Sequence, residues 1–421
     1  MPIKELIPVS LRALPRDAVV LFGTRFTRLF AYGALSVVLV FYLVSLGLTE
    51  AQAGVVLTLT LVGDIAISLL LTTRADRIGR RRMLIVGAML MAGAGVAFAS
   101  TKNLFFLIIA GTVGVISPSG HEVGPFLSIE QAALSHVVPA RSRTEVFAWY
   151  TLAGSAATAL GALCGGAAAG LVQSASFSTS ASYRVVVLLY AVLGVALAFL
   201  FTRLSSSTEV EPFATEAIGV SSRDFLGVGR SRSMVLQLSS LFALDSFGGG
   251  FVVQSFAAYW FYLRFGVPAV KLGLIFFWAN VLAGISALLA SRLATRIGLV
   301  RTMVVTHLPS NVLLILVPLM PNLTLAVLVL LVRFSISQMD VPTRQSYTMA
   351  VVRPEERSAA GGITGVARTA GAAISPILAG FLFSRPALID VPFFIAGTLK
   401  IAYDLVLYWK FAAIRPPEEA D

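Results

Sequence analysis

Long apolar runs recur along the whole chain, separated by short polar stretches. A run of about 18–30 such residues spans the hydrocarbon core as a helix. Lipid offers no hydrogen bonds to backbone groups, so the chain must satisfy them internally. Twelve runs can be delimited, at 19–47, 51–73, 83–100, 103–138, 144–172, 181–202, 232–265, 269–291, 301–320, 323–352, 357–383 and 388–412. The fold class expected is an all-α membrane protein with twelve transmembrane helices. The longer runs require tilt or an interfacial turn. Pro118 and Gly120 are expected to bend the fourth span, and Pro342 the tenth.

Composition removes the soluble alternatives. The chain has 421 residues, 57% hydrophobic and 13% charged, with mean hydropathy +0.87. A soluble domain carries roughly 25% charged residues. The net charge of +11 does not point to nucleic acid, because the bases lie between apolar runs. There they set topology and meet anionic membrane lipids. The single cysteine, Cys164, excludes an internal disulfide and a zinc or redox cluster. No cofactor and no metal are expected. The N-terminus lacks a signal-peptide pattern, so the first span is expected to remain as an anchor.

The basic residues orient the chain. Arg74 to Arg82, Arg141, Arg143, Arg203, Arg223, Arg230, Arg232, Arg292, Arg296, Arg301, Arg353 and Arg357 fall on the side of the termini. Lys102, Arg184, Arg264, Lys271 and Arg385 fall on the other. Both termini are therefore expected in the cytoplasm, with the chain in a plasma (inner) membrane. Trp260 and Trp409, near span ends, read as interfacial belt residues.

Between the second and third spans, Arg74 to Leu84 packs five arginines and one aspartate around Gly79, which permits the turn. Asp76 is expected at the positive N-terminal end of a neighbouring helix. Asp76, Arg77, Gly79, Arg80 and Arg81 resemble the G-x-x-x-D-R-x-G-R-R/K signature of the major facilitator superfamily of transporters. Thr72 replaces its leading glycine.

The chain repeats itself. ADRIG (75–79) aligns with ATRIG (294–298), GLTEAQAG (47–54) with GVPAVKLG (266–273), and VVPARSRT (137–144) with VVRPEERS (351–358). Two like halves in the same orientation imply a pseudo-twofold axis along the membrane normal. The expected organisation is a six-helix bundle over 1–202, a cytoplasmic linker over 203–231 and a second six-helix bundle over 232–421.

The resemblance implies that spans 1, 4, 7 and 10 line a central cavity. These spans carry most of the intramembrane charge: Arg25 and Arg28; Glu122 and Glu130; Asp245; and Arg333, Asp340 and Arg344. Such charges are costly in hydrocarbon and are functional candidates by default. Asp64 on span 2 lies at a depth similar to Arg28, so a pair between it and Arg25 or Arg28 is expected, either structural or exchangeable. Arg333, Asp340 and Arg344 are spaced by seven and four, as one helical stripe. Glu130 aligns with Arg344 in the repeat, so a bridge between them would close an inner gate; the alternative is a rigid brace. Asp245 and Gln254 flank Gly248–Gly250 and are candidate solute contacts. Glu122, beside His121, and Asp64 are the candidate proton sites. His307 is expected as a packed or interfacial histidine.

Gly161 to Gly166 (GALCGG) on span 5 resembles an antiporter signature of the superfamily with Ala162 in place of proline. The matching place on span 11, Ser375 to Gly380, retains Pro376. Both serve equally as close-packing surfaces. The triplet Asn322-Leu323-Thr324 is expected to carry no glycan. No nucleotide-binding glycine loop or catalytic set appears, so an enzyme is not expected.

The function expected is a monomeric secondary transporter working by alternating access. Asp76 and Arg77 would latch the cytoplasmic side. The first choice is exchange of protons for a small charged or amphipathic organic solute leaving the cytosol. Proton-coupled import or uniport is the alternative within transport, and a non-transporting receptor or scaffold the alternative outside it.

Overall fold

The computed structural model describes residues 14–122, 124–139, 143–209, 229, 231–353 and 356–413, without the side chains of 76, 143, 144 and 358. Span 1 is α1 (Arg16–Ser45), span 2 is α2 (Glu50–Ile78) and span 3 is α3 (Arg80–Ser100). Span 4 is divided into α4 (Leu104–Val113) and α5 (Phe126–Val137). Spans 5 and 6 are α6 (Arg143–Ser174) and α7 (Thr179–Thr202). The second half repeats the order. Span 7 is α8 (Arg232–Gly250) with α9 (Gln254–Phe265), and spans 8 and 9 are α10 (Ala269–Ile297) and α11 (Leu299–Leu316). Span 10 is α12 (Leu323–Phe334) with α13 (Asp340–Ala350). Spans 11 and 12 are α14 (Arg357–Phe383) and α15 (Val391–Phe411). Among the described residues, ten stretches, with α8 and α9 taken as one, are long and apolar enough to cross a membrane, and the shorter apolar helices Leu104–Val113 and Leu323–Phe334 belong to the broken spans 4 and 10.

Local chemistry sets the joints. Thr49 and Gln52 form a capping box that starts α2 immediately after Gly47, which turns with φ 97°. Gly79 separates α2 from α3 with φ 118°, a backbone region that disfavours side chains.

Spans 4 and 10 are broken, not merely bent. After α4 the chain meets Pro118, Gly120, Gly124 and Pro125, and both glycines have positive φ (73° and 81°). No continuous helix survives that combination. In span 10 the break covers 335–339 and precedes Pro342. Pro342 lies in the first turn of α13, where its missing N–H costs nothing. The expected single stripe on span 10 is therefore divided: Arg333 is on α12, while Asp340 and Arg344 are on α13.

The freed backbone groups of span 4 find partners from its surroundings. Tyr190 Oη donates to the Val115 carbonyl. Ser255 donates to the Pro118 carbonyl through both N (3.2 Å) and Oγ. Thr158 Oγ1 donates to the Gly120 carbonyl and Ser117 Oγ to that of His121.

An even number of spans puts both termini on one face, here called the terminal face; the other is the distal face. The halves meet through two pairs of long helices, span 2 with span 11 and span 5 with span 8. Glycines make both contacts possible. A Cβ on Gly380 would fall 2.9 Å from Gly54 Cα, and one on Gly166 would fall 2.9 Å from Gly273 Cα. Gly161 and Gly165 turn instead to span 1, against the backbone at Phe30 and Ala34. Both flagged runs, Gly161–Gly166 and Ser375–Gly380, thus act as close-packing surfaces. Polar links join the same region: Gln254 to Ser36 (2.8 Å), Tyr259 to Glu50 (2.8 Å), and Ile377 N–H to Thr58 Oγ1 (3.0 Å). Glu50 begins span 2 and Tyr259 lies in the second segment of span 7, so these links lie toward the distal face.

Trp260 is not a belt residue. It is fully buried, and its indole N–H donates to Asp390 at 2.8 Å. Trp409 is exposed. Of the expected linker, 210–228 and 230 lie outside the described residues. Its beginning is held on the first half by Ser205 and Ser207, which donate to Asp17.

Candidate functional site

Buried charge gathers in two clusters, one in each half. In the first half, Arg28 is completely buried and reaches two carboxylates of the broken span 4. Its Nη1 and Nη2 donate to Glu130 at 2.7 and 2.8 Å, a two-pronged pairing. Its Nη2 also donates to Glu122 at 3.1 Å. Arg25 Nη1 lies 2.7 Å from Glu122 Oε1, a close ion pair whose angle does not make a hydrogen bond. Thr24 Oγ1 (2.8 Å) and the Tyr150 hydroxyl complete the shell of Glu130. Arg25 stacks on Tyr150 at 4.4 Å and Arg28 on Phe126 at 4.8 Å.

Asp64 is not the partner of either arginine. It accepts the Gly124 N–H, with Ser68 Oγ at 3.3 Å. Its carboxylate holds the irregular backbone of span 4, while Glu122 and Glu130 on that span take both arginines.

In the second half the centre is Asp245 on α8. Lys400 Nζ donates to its Oδ1 at 2.6 Å and Arg344 Nη1 to its Oδ2 at 3.1 Å. Arg344 also reaches Asp340, one turn before it, at 3.4 Å. His307 Nε2 stands 3.6 Å from Asp245, and its Nδ1 is 2.8 Å from Asp404. Asn311 Nδ2 donates to Asp404 at 2.9 Å. Ligand-type atoms of Asp245, His307 and Asp340 lie within 4.8 Å of one another. Both oxygens of Asp245 already face cations, so the group is an ion-pair network and a poor seat for a metal ion.

The two clusters have opposite polarity. Span 1 supplies cations and span 4 acids in the first half. In the second half span 7 supplies the acid and span 10 Arg344. Glu130 and Arg344, aligned by the repeat, therefore carry opposite charges but do not meet. Each has its partners in its own half, so the expected gate bridge is absent among the described residues. Gln254 does connect the halves: its Nε2 donates to Ser36 on span 1, and its Oε1 accepts from Asn280 on span 8.

Sequence reading missed several members. Lys400 and Asp404 are spaced i, i+4 inside span 12, and their charge within an apolar run was a usable signal. Attention to spans 1, 4, 7 and 10 hid them. His307 is packed, as expected, but it belongs to the ionic network. The hydroxyls of Thr24 and Tyr150 gave no such signal.

The arginine-rich loop is held through Glu209. The side chain of Asp76 lies outside the described residues, and Arg77 is exposed. The carboxylate at the N-terminal end of α3 is that of Glu209, which accepts the N–H groups of Arg80 (2.7 Å) and Arg81 (3.1 Å). The Arg80 and Arg81 guanidiniums donate to the carbonyls of Thr208 and Leu204. Gly79 approaches the same Glu209 carboxylate.

The family profile described as Major Facilitator Superfamily matches residues 21–376 and, in a second match, 265–421. The uncharacterized membrane protein YJR124C of Saccharomyces cerevisiae is 30% identical over 432 residues, covering 96% of each chain. Among solved structures, the nucleoside transporter NupG is similar with TM-score 0.71 and 12% identity, over 94% of this chain and 100% of that one. The D-xylose-proton symporter is similar with TM-score 0.70 and 16% identity, over 94% of this chain and 97% of that one.

Proposed function

The chain belongs to the major facilitator superfamily, and from that premise we propose that it exports a small charged or amphipathic organic solute in exchange for protons, by alternating access. The observation that carries this reading is the coincidence of broken spans with buried charge. Irregular backbone at membrane depth is tolerated where protein buries it or where it borders a polar path. Spans 4, 7 and 10 are interrupted, and both ionic clusters are built on them.

The bodies that move are 1–202 and 232–421, joined by 203–231. Their close glycine contacts lie toward the distal face, so the arrangement supports a state closed there. The terminal face is the cytoplasmic one, by the excess of arginine in its loops, and the membrane is the plasma membrane. The carrier acts as a monomer, and the Arg74–Arg82 loop meets anionic lipid. Asp76 and Arg77 latch the cytoplasmic side in the opposite state.

Protons enter through carboxylates whose partners can be exchanged. Glu122 is the best placed: it is only part-buried, and it is held by Arg25 and by Arg28, which it shares with Glu130. Asp64 is the second candidate. Reconstituted protein is expected to move solute when a pH gradient is imposed. Glu122→Gln or Asp64→Asn is expected to abolish the pH dependence of flux. Unchanged dependence in both variants removes the proton-site assignment, and flux unaffected by any gradient removes the exchange mechanism in favour of uniport. A scaffold would show no flux and would tolerate loss of Asp64, Glu122 or Arg344.

A further inference from the structure

We propose that the second half binds a resident proton, shared between His307 and Asp404 at neutral pH, and that this proton holds span 12 against spans 7 and 9. It is additional to the exchanged protons assigned above to Glu122 and Asp64, which lie in the first half. The site does not rest on the carrier reading.

His307 on α11 and Asp404 on α15 are both buried, Asp404 completely, between helices that pack together. Each ring nitrogen of His307 meets a carboxylate. Nδ1 is 2.8 Å from Asp404 Oδ1, and Nε2 is 3.6 Å from Asp245 Oδ1. A neutral imidazole has one N–H and one lone pair. Whichever nitrogen is bare therefore aims its lone pair at a carboxylate oxygen. A bare Nδ1 would face Asp404 at hydrogen-bond distance with no hydrogen between them. A bare Nε2 would face Asp245. One more proton removes both conflicts. It sits on the ring, giving an imidazolium between two carboxylates, or on Asp404, whose O–H then donates to Nδ1 while Nε2–H points at Asp245. Asn311 suits both forms: its Nδ2 donates to Asp404 Oδ2 at 2.9 Å and lies 3.1 Å from Nδ1. The proton thus belongs to the pair, not to one residue.

The charges in contact point the same way. Lys400 and Arg344 bring two positive charges, and Asp245, Asp340 and Asp404 bring three negative ones. With a neutral His307 the network is one negative charge in excess, and the added proton brings it to zero. Uncompensated charge among groups this buried is strongly destabilising. No other group on the surrounding helices supplies the balance by contact. Arg333 on α12 and Arg368 on α14 make no ion pair with these carboxylates among the described residues. Arg301 on α11, Lys410 on α15, and Lys271, Arg292 and Arg296 on α10 are exposed. Tyr403, whose ring meets that of His307 edge-on at 5.8 Å, and Tyr347 on α13 are phenols, uncharged at neutral pH. The proton also has a mechanical consequence. Lys400 and Asp404 are one turn apart on α15, so Asp245 of span 7 and His307 of span 9 grip the same helix. Without the proton, Asp245 and Asp404 face a ring that can satisfy only one of them.

The test uses full-length protein in neutral detergent at neutral pH, with nitrogen-15 in the histidine rings. The chain has three histidines, and His121 and His136 are exposed. Changing both to Gln leaves the ring signals of His307 alone. Nε2 is expected to carry a hydrogen. The shared proton is expected on Nδ1, or else as a carboxylic-acid carbonyl band in the infrared spectrum that disappears in Asp404→Asn. Stability gives an independent reading. His307→Gln leaves the excess negative charge without a proton carrier and should lower the thermal midpoint by roughly 5 °C or more. Adding Asp404→Asn to it balances the charges with no proton and should recover most of that loss. If His307→Gln does not fold, a folded double variant shows the same recovery. A role in hydrogen bonding alone would leave the double variant melting no higher than the single one. The proposal is overturned if His307 shows a bare ring nitrogen with no acid band from Asp404, or if adding Asp404→Asn recovers nothing. Neither measurement involves transport, so absence of gradient-driven flux sinks the carrier reading and leaves the buried proton in place.

Discussion

Arg28 is the side chain on which the first cluster depends. It serves Glu122 and Glu130 at once from a position with no exposure. Arg28→Ala would leave two acids buried with only Arg25 nearby. The expected loss is about 3–5 kcal/mol, read as a lower thermal midpoint. Adding Glu130→Ala to Arg28→Ala should cost less than the sum of the single changes, because each single change strands the other charge. Strict additivity would mean that the pair is not coupled. Asp64 behaves differently, as its partner is a backbone N–H. Asp64→Ala should cost about 1–3 kcal/mol, whereas Asp64→Asn, which keeps an acceptor oxygen, should melt closer to wild type.

At the scale of elements, two kinds of glycine separate. Gly120 and Gly124 allow the positive φ that breaks span 4, and the break carries Glu122 to Arg25 and Arg28. Gly166 and Gly380 allow helices to touch. Gly166→Val places branched carbon against the Ala269 carbonyl and Gly273. Overpacking of this kind costs about 1–3 kcal/mol, and here it falls on the contact between halves. Its expected signature is a lower midpoint together with a distal face that opens more readily to a water-soluble thiol reagent, read from a cysteine introduced at Thr58. A melting change without altered access would confine the effect to packing within one half.

For the whole molecule, the prediction concerns motion. Thr58 on span 2 and Ile377 on span 11 touch across the halves. In a Cys164→Ser background, Thr58→Cys with Ile377→Cys should form a disulfide that holds the distal face shut. Flux should fall to background on oxidation and return on reduction. Full flux with the bond intact would show that the two halves need not separate there.

The apolar runs, the loop at Arg74–Leu84 and the internal repeat settled the membrane class, the twelve spans and the family, because all three are properties of local order along the chain. Intramembrane charge likewise marked Arg28, Glu122, Glu130, Asp245, Asp340 and Arg344, since hydrocarbon makes any such residue conspicuous. Pairing was a different matter. Depth along a helix does not specify the direction in which a side chain points, and Asp64 therefore looked like a partner for Arg28 when it holds Gly124 instead. The break before Pro342, the capping of α3 by Glu209, and the recruitment of Lys400 and Asp404 each depend on which helix lies alongside which. That is decided when the helical segments pack together and every buried charge and freed backbone group must find a partner.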